Sequence, residues 1–329
     1  MSKKVIILDN KIVVITNSGQ TFEKSDVDDD FIDKVIKSSE DELLELFCEN
    51  YAEYKKEKEE IDSINEGIKN SKLLVKKGDS VYMESVSQLS VPKELVKAIL
   101  MAEANNDETK LEAYTNFWTL MSLNPDERCR QNLFWFLSKY GMTIAKCGFF
   151  VGYRNVDKTP IEGVYTDYRT HSFKIKIGEM VTMPREECDT VQENTCSTGL
   201  HISGKGWLKK FYFGNVGLAC LVNPADVVAA PPYDNYGKLR TCAYLPMEVI
   251  NYDENNEIIP LDVEDGFDCS YVSKVIYEGI MGTEEDSPYK IVMPHMQGVD
   301  KKSITERLLD IAKNCIIERK LKSVLPKEN

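Results

Sequence analysis

Residues Thr195 to Pro232 read TCSTGLHISGKGWLKKFYFGNVGLACLVNPADVVAAPP: strand, short helix, strand and turn in one block. Gly199-Leu200-His201-Ile202 alternates apolar and polar, as a half-buried strand does. Gly204 and Gly206 end that strand, because glycine tolerates the backbone angles of a tight turn. Trp207, Leu208, Phe211 and Tyr212 share one face of a helix of about two turns. Gly214 and Asn215 close it as a C-cap. Val216 to Val222 is unbroken apolar sequence, the mark of a strand covered on both faces. Asn223-Pro224 interrupts the run, Ala225 to Ala230 resumes it, and Pro231-Pro232 forces an extended exit. The block specifies a fold element and one wall of a pocket. It does not specify a reaction.

Upstream, Met142 to Tyr153 predicts a strand with Arg154 at its end. Tyr165 to Ile177 predicts another, with Phe173, Ile175 and Ile177 alternating and Arg169 and His171 just ahead of them. Met183 to Thr195 is polar and loop-like. Downstream, Tyr233 to Lys238 is rich in turn residues, and Leu239 to Ile250, which carries Arg240, predicts one more strand. Asp253 to Asn256 turns the chain, and Glu257 to Leu261 forms an edge.

Nearer the N-terminus, Val5 to Thr16 predicts two strands around Asp9-Asn10, a hairpin turn pair. Asp26 to Asp30 leads into an amphipathic helix carrying Phe31, Ile32, Val35 and Ile36, its acidic start suiting the helix dipole. Ser39 with Asp41 or Glu42 opens a second helix. Tyr54 to Asn70 is charged throughout, a solvated helix face. Lys72 to Glu84 folds back at Gly78-Asp79 as a second hairpin. Pro92 stands at the first position of a helix. Two more helices follow, over Leu111–Met121 and Asp126–Tyr140, with Gly141 as C-cap. Their aromatic residues, at helical spacing, are core. Beyond the β-rich part, Ser303 with Glu306 is a capping box, and Leu308 to Leu321 carries an apolar face. Together these predict an α+β protein. An N-terminal mixed and helical region (1–90 and 91–141) precedes a β-rich C-terminal domain (142–298) and a C-terminal amphipathic helix with its tail (299–329).

The net charge of −13 argues against binding duplex nucleic acid, which needs clustered lysine and arginine. No apolar run approaches 18 residues, the length of a transmembrane helix. The start MSKKVIILDN lacks the cleavage site of a signal peptide. Nine scattered cysteines with no CxxC pair read as reduced thiols. A zinc set of Cys188, Cys196, His201 and Cys242 is conceivable, but lacks the two closely spaced ligand pairs of structural zinc sites. No metal is expected. His201, one of three histidines, has two readings. It is a cleft-facing group able to handle a proton, or a histidine packed at a sheet rim with its nitrogens satisfied.

The segments FFVGYRNV, EMVTMPREECD, CSTGLHIS and LVNPADVVAAPPYDNYGKLRTCAY, spread over roughly residues 130 to 245, resemble the rIIB-like proteins of tailed bacteriophages. The resemblance implies a non-catalytic accessory protein of the infected bacterium, acting on lysis timing or on host and prophage exclusion. It implies a protein partner, an rIIA-like phage protein among the candidates, in the host cytoplasm near the inner face of the membrane. Peripheral membrane association and a place in the virion stay open. The order of Tyr168-Arg169, Ser197-Thr198, Gly199-Leu200-His201, a short aromatic helix and an apolar strand also looks like the layout of ADP-ribosyltransferase-like folds. That likeness implies NAD or another nucleotide as ligand. It lacks the late glutamate that stabilises positive charge in such enzymes, for which Glu248 is a poor substitute, so no catalytic residue is assigned. The expected pocket comprises Arg154, Arg169, His171, Cys196, His201 and Arg240, the arginines holding an anion by paired donation. The other reading is that these arginines pair with Asp167, Asp189 or Asp234 and fix loops.

Overall fold

The computed structural model describes residues 3–259 except 9–10, 18, 49–50, 85, 195, 211–215, 233–236 and 256. The chain divides into two compact units, residues 1–67 and 68–329. The helix expected over Leu308 to Leu321 lies outside the described residues. So do the Asp9-Asn10 turn, the Gly214-Asn215 cap and Leu261.

In the first unit, β1 (Lys4–Leu8), β2 (Lys11–Ile15) and β3 (Thr21–Ser25) form an antiparallel sheet in chain order. Leu8 stands opposite Lys11, the register of a two-residue connection. β3 has no alternating signal in the sequence: its residues TFEKS are largely exposed, and it is held by its ladder to β2. α1 (Asp29–Lys37) starts where the Asp28 carboxylate accepts from the Phe31 amide. α2 (Glu40–Phe47) starts at the expected capping box, formed by Ser39 and Glu42. Ile12, Val14, Val35 and Leu43 make the core of this unit, with Phe31 and Phe47 packed against it. α3 (Tyr51–Asn70) carries the charged run.

In the second unit, β4 (Leu74–Lys77), β5 (Ser80–Met83) and β6 (Val86–Ser90) form a small antiparallel sheet. The expected hairpin is β4–β5; β6 extends it past a bulge between Tyr82 and Met83. α4 (Lys93–Ala104) begins with Pro92 as its N-cap, one residue outside the predicted position. α5 (Glu108–Met121) and α6 (Glu127–Lys139) are capped by the Asp107 and Asp126 carboxylates. Phe117, Trp118, Leu133, Phe136 and Leu137 are buried, as their spacing predicts.

The main sheet has nine strands: β7 (Phe150–Lys158), β8 (Val164–Thr166), β9 (Lys174–Lys176), β10 (Val181–Thr182), β11 (Leu200–Ser203), β12 (Val216–Val222), β13 (Val227–Ala229), β14 (Lys238–Thr241) and β15 (Ala243–Val249). α7 (Lys205–Lys210) links β11 to β12. The strand order is β10-β15-β12-β7-β11-β14-β13, with β8 on β7 and β9 on β8. The apolar run Val216 to Val222 is central, paired on both sides and buried along most of its length. Asn124, between α5 and α6, ties the helical layer to the sheet. Its amide donates to the Pro224 and Val227 carbonyls at 2.9 and 2.7 Å.

Three strand expectations need correction. The strand placed at 142–153 begins at Phe150 and runs to Lys158, so Arg154 sits mid-strand. Residues before it turn tightly against α5, with the Ala145 amide bonded to the Phe149 carbonyl and Gly148 at a φ of 89°. A Cβ at Gly148 would strike the Asn116 and Phe117 backbone. The strand placed over 165–177 is a hairpin of β8 and β9 separated by a loop. The strand placed over 239–250 is two strands, β14 and β15, broken at Cys242. There the Asp226 carbonyl accepts from both the Thr241 hydroxyl and the Cys242 amide, which pulls Cys242 out of the ladder. The break lets β14 pair with β11 and β13 while β15 pairs with β12 and β10.

Candidate functional site

β7 pairs with β12 from Phe150 to Val156, but with β11 only where Tyr153 meets Ser203. From Arg154 onward the two strands diverge, until β8 takes up the edge of β7 at Asp157 and Lys158. The sheet is therefore forked. Close contact is kept at the root of the fork by Gly152, whose missing Cβ leaves room for Ile202. The Ser203 hydroxyl adds a bond to the Tyr153 carbonyl at 3.1 Å.

A cavity of about 500 Å³ opens at the fork. Tyr153, Arg154 and Asn155 of β7 line one side, and Leu200, His201 and Ile202 of β11 the other. Two loops form the rims. The loop 167–173 supplies Tyr168, Arg169 and Phe173; the loop ahead of β11 supplies Cys196, Ser197 and Thr198. Trp207 of α7 and Lys238 of β14 complete the wall, with the Lys238 ammonium 6.0 Å from the centre of the Trp207 ring.

Each rim is built around one aspartate. Asp167 accepts from the Thr170 amide and hydroxyl at 2.7 Å and from the Ser172 and Phe173 amides at 3.0 Å. Burial alone would raise its carboxyl. Those bonds and the nearby Arg154 outweigh burial and hold it at about 2. The Asp189 carboxyl is likewise held at about 2, by Ser197, Asn194 and the Val191 amide. The Asp189 amide also closes the second loop onto the Thr198 carbonyl.

Of the six expected pocket residues, Arg154, Arg169, Cys196 and His201 line the cavity. Arg154 donates through Nη1 to the His201 carbonyl at 2.9 Å, and its guanidinium lies 5.2 Å from the centre of the Tyr244 ring. Its Nε is buried without a partner. Arg169 is exposed and donates to Cys196 Sγ at 3.5 Å. The His201 imidazole is driven down to about 3, first by burial and then by the positive charges of Lys238, Arg154, Arg240 and Arg169. It is neutral at physiological pH, and its Nε2 is buried without a partner.

His171 and Arg240 are placed elsewhere. His171 sits at the tip of the first loop with a φ of 53°, its Nδ1 3.9 Å from Asp157. Arg240 is 1 % exposed and runs beneath the second loop. Its Nε donates to the Asp189 carbonyl at 2.8 Å, and its two other nitrogens donate to the Val191 and Asn194 carbonyls. It fixes a loop, as the second reading of the arginines held, but through main-chain carbonyls and not a carboxylate. The zinc candidates divide: Cys188 and Cys242 pack around Val228, while Cys196 and His201 face the cleft. No group of three or more metal-binding side chains occurs among the described residues. Glu248 stands opposite Ala219 on β15 and acts on Tyr153 from outside the lining.

Lys238, Tyr168 and Trp207 were not among the expected pocket residues. Lys238 was legible in principle, since it lies two residues before Arg240 on one strand. Its place opposite Ser203 needed the β11–β14 register.

The fold and cleft define a mixed α+β protein with a forked antiparallel sheet and a cation-lined cavity. A family profile described as Bacteriophage T4 protein rIIB matches residues 47–263, and the chain belongs to that family. It is also similar to Protein rIIB of Enterobacteria phage T4, with 30% identity over 138 residues. That alignment takes in 42% of this chain and 43% of the phage T4 protein, so it spans less than half of the relative's length. No solved structure matches the chain. No helix among the described residues is long and apolar enough to cross a membrane.

Proposed function

We propose that this chain is a phage accessory protein of the infected bacterium, acting on lysis timing or on resistance to exclusion. In this reading its forked-sheet cleft holds an anionic nucleotide-class ligand and does not transform it. The observation that carries the binding part is the convergence of Arg154, Arg169 and Lys238 with Tyr168 and Trp207 on one cavity of about 500 Å³. That size suits a nucleotide or dinucleotide. Guanidinium forks suit phosphates and the aromatic faces suit a base. Two buried nitrogens on residues of the cavity wall, His201 Nε2 and Arg154 Nε, have no hydrogen-bond partner within the described protein.

The non-catalytic part is supported by the carboxylates. Among the described lining residues the one acid is Asp167, and its own loop occupies both oxygens. Glu248 lies off the lining. The forked sheet and the order of the motifs favour an ADP-ribosyltransferase-like descent for this domain, with NAD-type ligands retained and transfer lost. The family suggests a protein partner, an rIIA-like phage protein, in the host cytoplasm at the inner face of the membrane.

The test is calorimetric titration of the purified chain with the oxidised nicotinamide dinucleotide and with ADP-ribose. Arg169→Ala and His201→Ala are run in parallel. Saturable binding that both substitutions weaken supports the reading. A folded protein that gives no heat with either ligand sinks it.

A further inference from the structure

The two edges of the sheet in the first unit are unlike. β3 exposes Glu23 and Lys24, charges that guard an open edge against pairing. β1, at the other edge, reads KVIIL, with no proline, no bulge and an unbroken register to β2. Ile7 is 48% and Leu8 57% exposed although successive residues of a strand face opposite ways, so this end of β1 is open on both faces. Leu8 stands opposite Lys11 across a two-residue connection, which makes Leu8, Ile6 and Lys4 the residues that exchange bonds with β2. Val5 and Ile7 turn their amides and carbonyls outward, and no other main-chain group among the described residues reaches them. The core behind this edge is small, built on Ile12, Val14, Val35 and Leu43 with Val5 packed against it.

We infer that β1 is a pairing edge for a second copy of this chain, the two strands running antiparallel about a two-fold axis at Ile6. The outward phase of Val5 and Ile7 selects this arrangement. With Ile6 on the axis, Val5 of each copy exchanges both main-chain bonds with the partner's Ile7, and every outward group is used. The two Ile6 side chains meet as the close, non-hydrogen-bonded pair. Lys4 stands opposite the partner's Leu8, so no like charges face each other within the strand pair, and the lysine stem covers the exposed leucine. Val5 and Ile7 share the face that carries the core, so the seam joins two small cores and adds the burial that a unit of this size lacks. Self-complementarity favours a second copy over a foreign strand: Val-Ile-Ile meets the same three residues reversed, and each lysine meets a leucine. Two five-residue strands bury less than a standard interface, so the dimer is a weak one.

The test is sedimentation equilibrium of the full chain. Its mass is expected to double between about 1 μM and about 300 μM, the range of a weak interface. Ile7→Pro removes an amide that takes no part in the β1–β2 ladder, so circular dichroism should be unchanged while self-association weakens by about tenfold or more. Ile6→Cys tests the register independently of that variant. With glutathione disulfide as oxidant, the two axial thiols are expected to link, and peptide mass mapping should find position 6 joined to position 6. A full chain that stays monomeric across that range would overturn the dimer. A dimer that survives Ile7→Pro undiminished, or an Ile6→Cys chain with no such link, would overturn this edge as its seam.

Discussion

Arg154 reaches from β7 to the His201 carbonyl of β11 at 2.9 Å, one residue past the Tyr153–Ser203 pair at which the two strands part. A side chain thus takes over where the backbone ladder stops. The same guanidinium lies over Tyr244 and faces the cavity, so one residue braces the fork and charges it.

Lysine cannot do both. An ammonium on a flexible stem lacks the planar fork that bridges, stacks and still presents a donor. Arg154→Lys is expected to keep the fold, lower stability by about 1 kcal/mol and weaken ADP-ribose by about tenfold. Denaturant unfolding and calorimetry read the two effects separately. An unchanged affinity would remove Arg154 from the site.

Arg240 acts one layer down. Its three donors hold the carbonyls of Asp189, Val191 and Asn194, and so set the loop that carries Cys196 and Ser197. Arg240→Met leaves those acceptors unpaired and is expected to cost about 3 kcal/mol. Arg240→Lys should recover little, because one ammonium cannot span three carbonyls. Urea unfolding of both variants is the measurement; a lysine variant as stable as the parent would show that charge alone holds the loop.

Asp226 lies in the short turn between β12 and β13 with its Oδ2 buried and unpartnered. Burial, opposed by Arg185, pushes its carboxyl from 3.8 up to about 7. A group raised on folding contributes stability that is complete below the unfolded value and lost as pH climbs through the folded one. The protein is therefore expected to lose stability between about pH 4 and pH 7 from this residue. Asp226→Asn, which cannot ionise, should flatten that decline. Thermal melts of both proteins at pH 5, 7 and 8.5 test this, and parallel curves would assign the slope to other groups.

Much of this architecture was legible in local sequence. The Ser39–Glu42 capping box, the Gly78-Asp79 hairpin and the buried strand Val216–Val222 each rest on short-range chemistry that composition exposes. The errors arose where distant groups decide. Tyr165 to Ile177 alternates well enough for one strand, yet the Asp167 carboxylate gathers four donors and bends it into a hairpin. Leu239 to Ile250 is apolar enough for one strand, yet the Asp226 carbonyl breaks it at Cys242. The site divides along the same line. Arg169 and Cys196 were found because they stand in polar stretches ahead of strands, and His201 because it lies in one. Arg240 was misplaced because residue type does not say whether a guanidinium turns toward a cavity or beneath a loop.

His201 gives the sharpest check on the cleft. Burial and the surrounding cations depress its pKa from 6.5 to about 3, so the ring stays neutral down to acid pH. Protonation of His201 then adds no charge to the cleft in the neutral range, and ADP-ribose affinity is expected to be flat from about pH 5.5 to pH 8. The linkage has the opposite sign to that of Asp226. A depressed group contributes stability that is present above the unfolded value and lost as pH falls toward the folded one, so His201 weakens the fold progressively below about pH 6.5. A proton NMR titration of the three histidine rings resolves the point, with His201→Gln identifying its resonance. No titration of His201 above about pH 4 is expected. A midpoint near the ordinary histidine value would mean that the ring is solvated and that the cleft is less cationic than its lining implies.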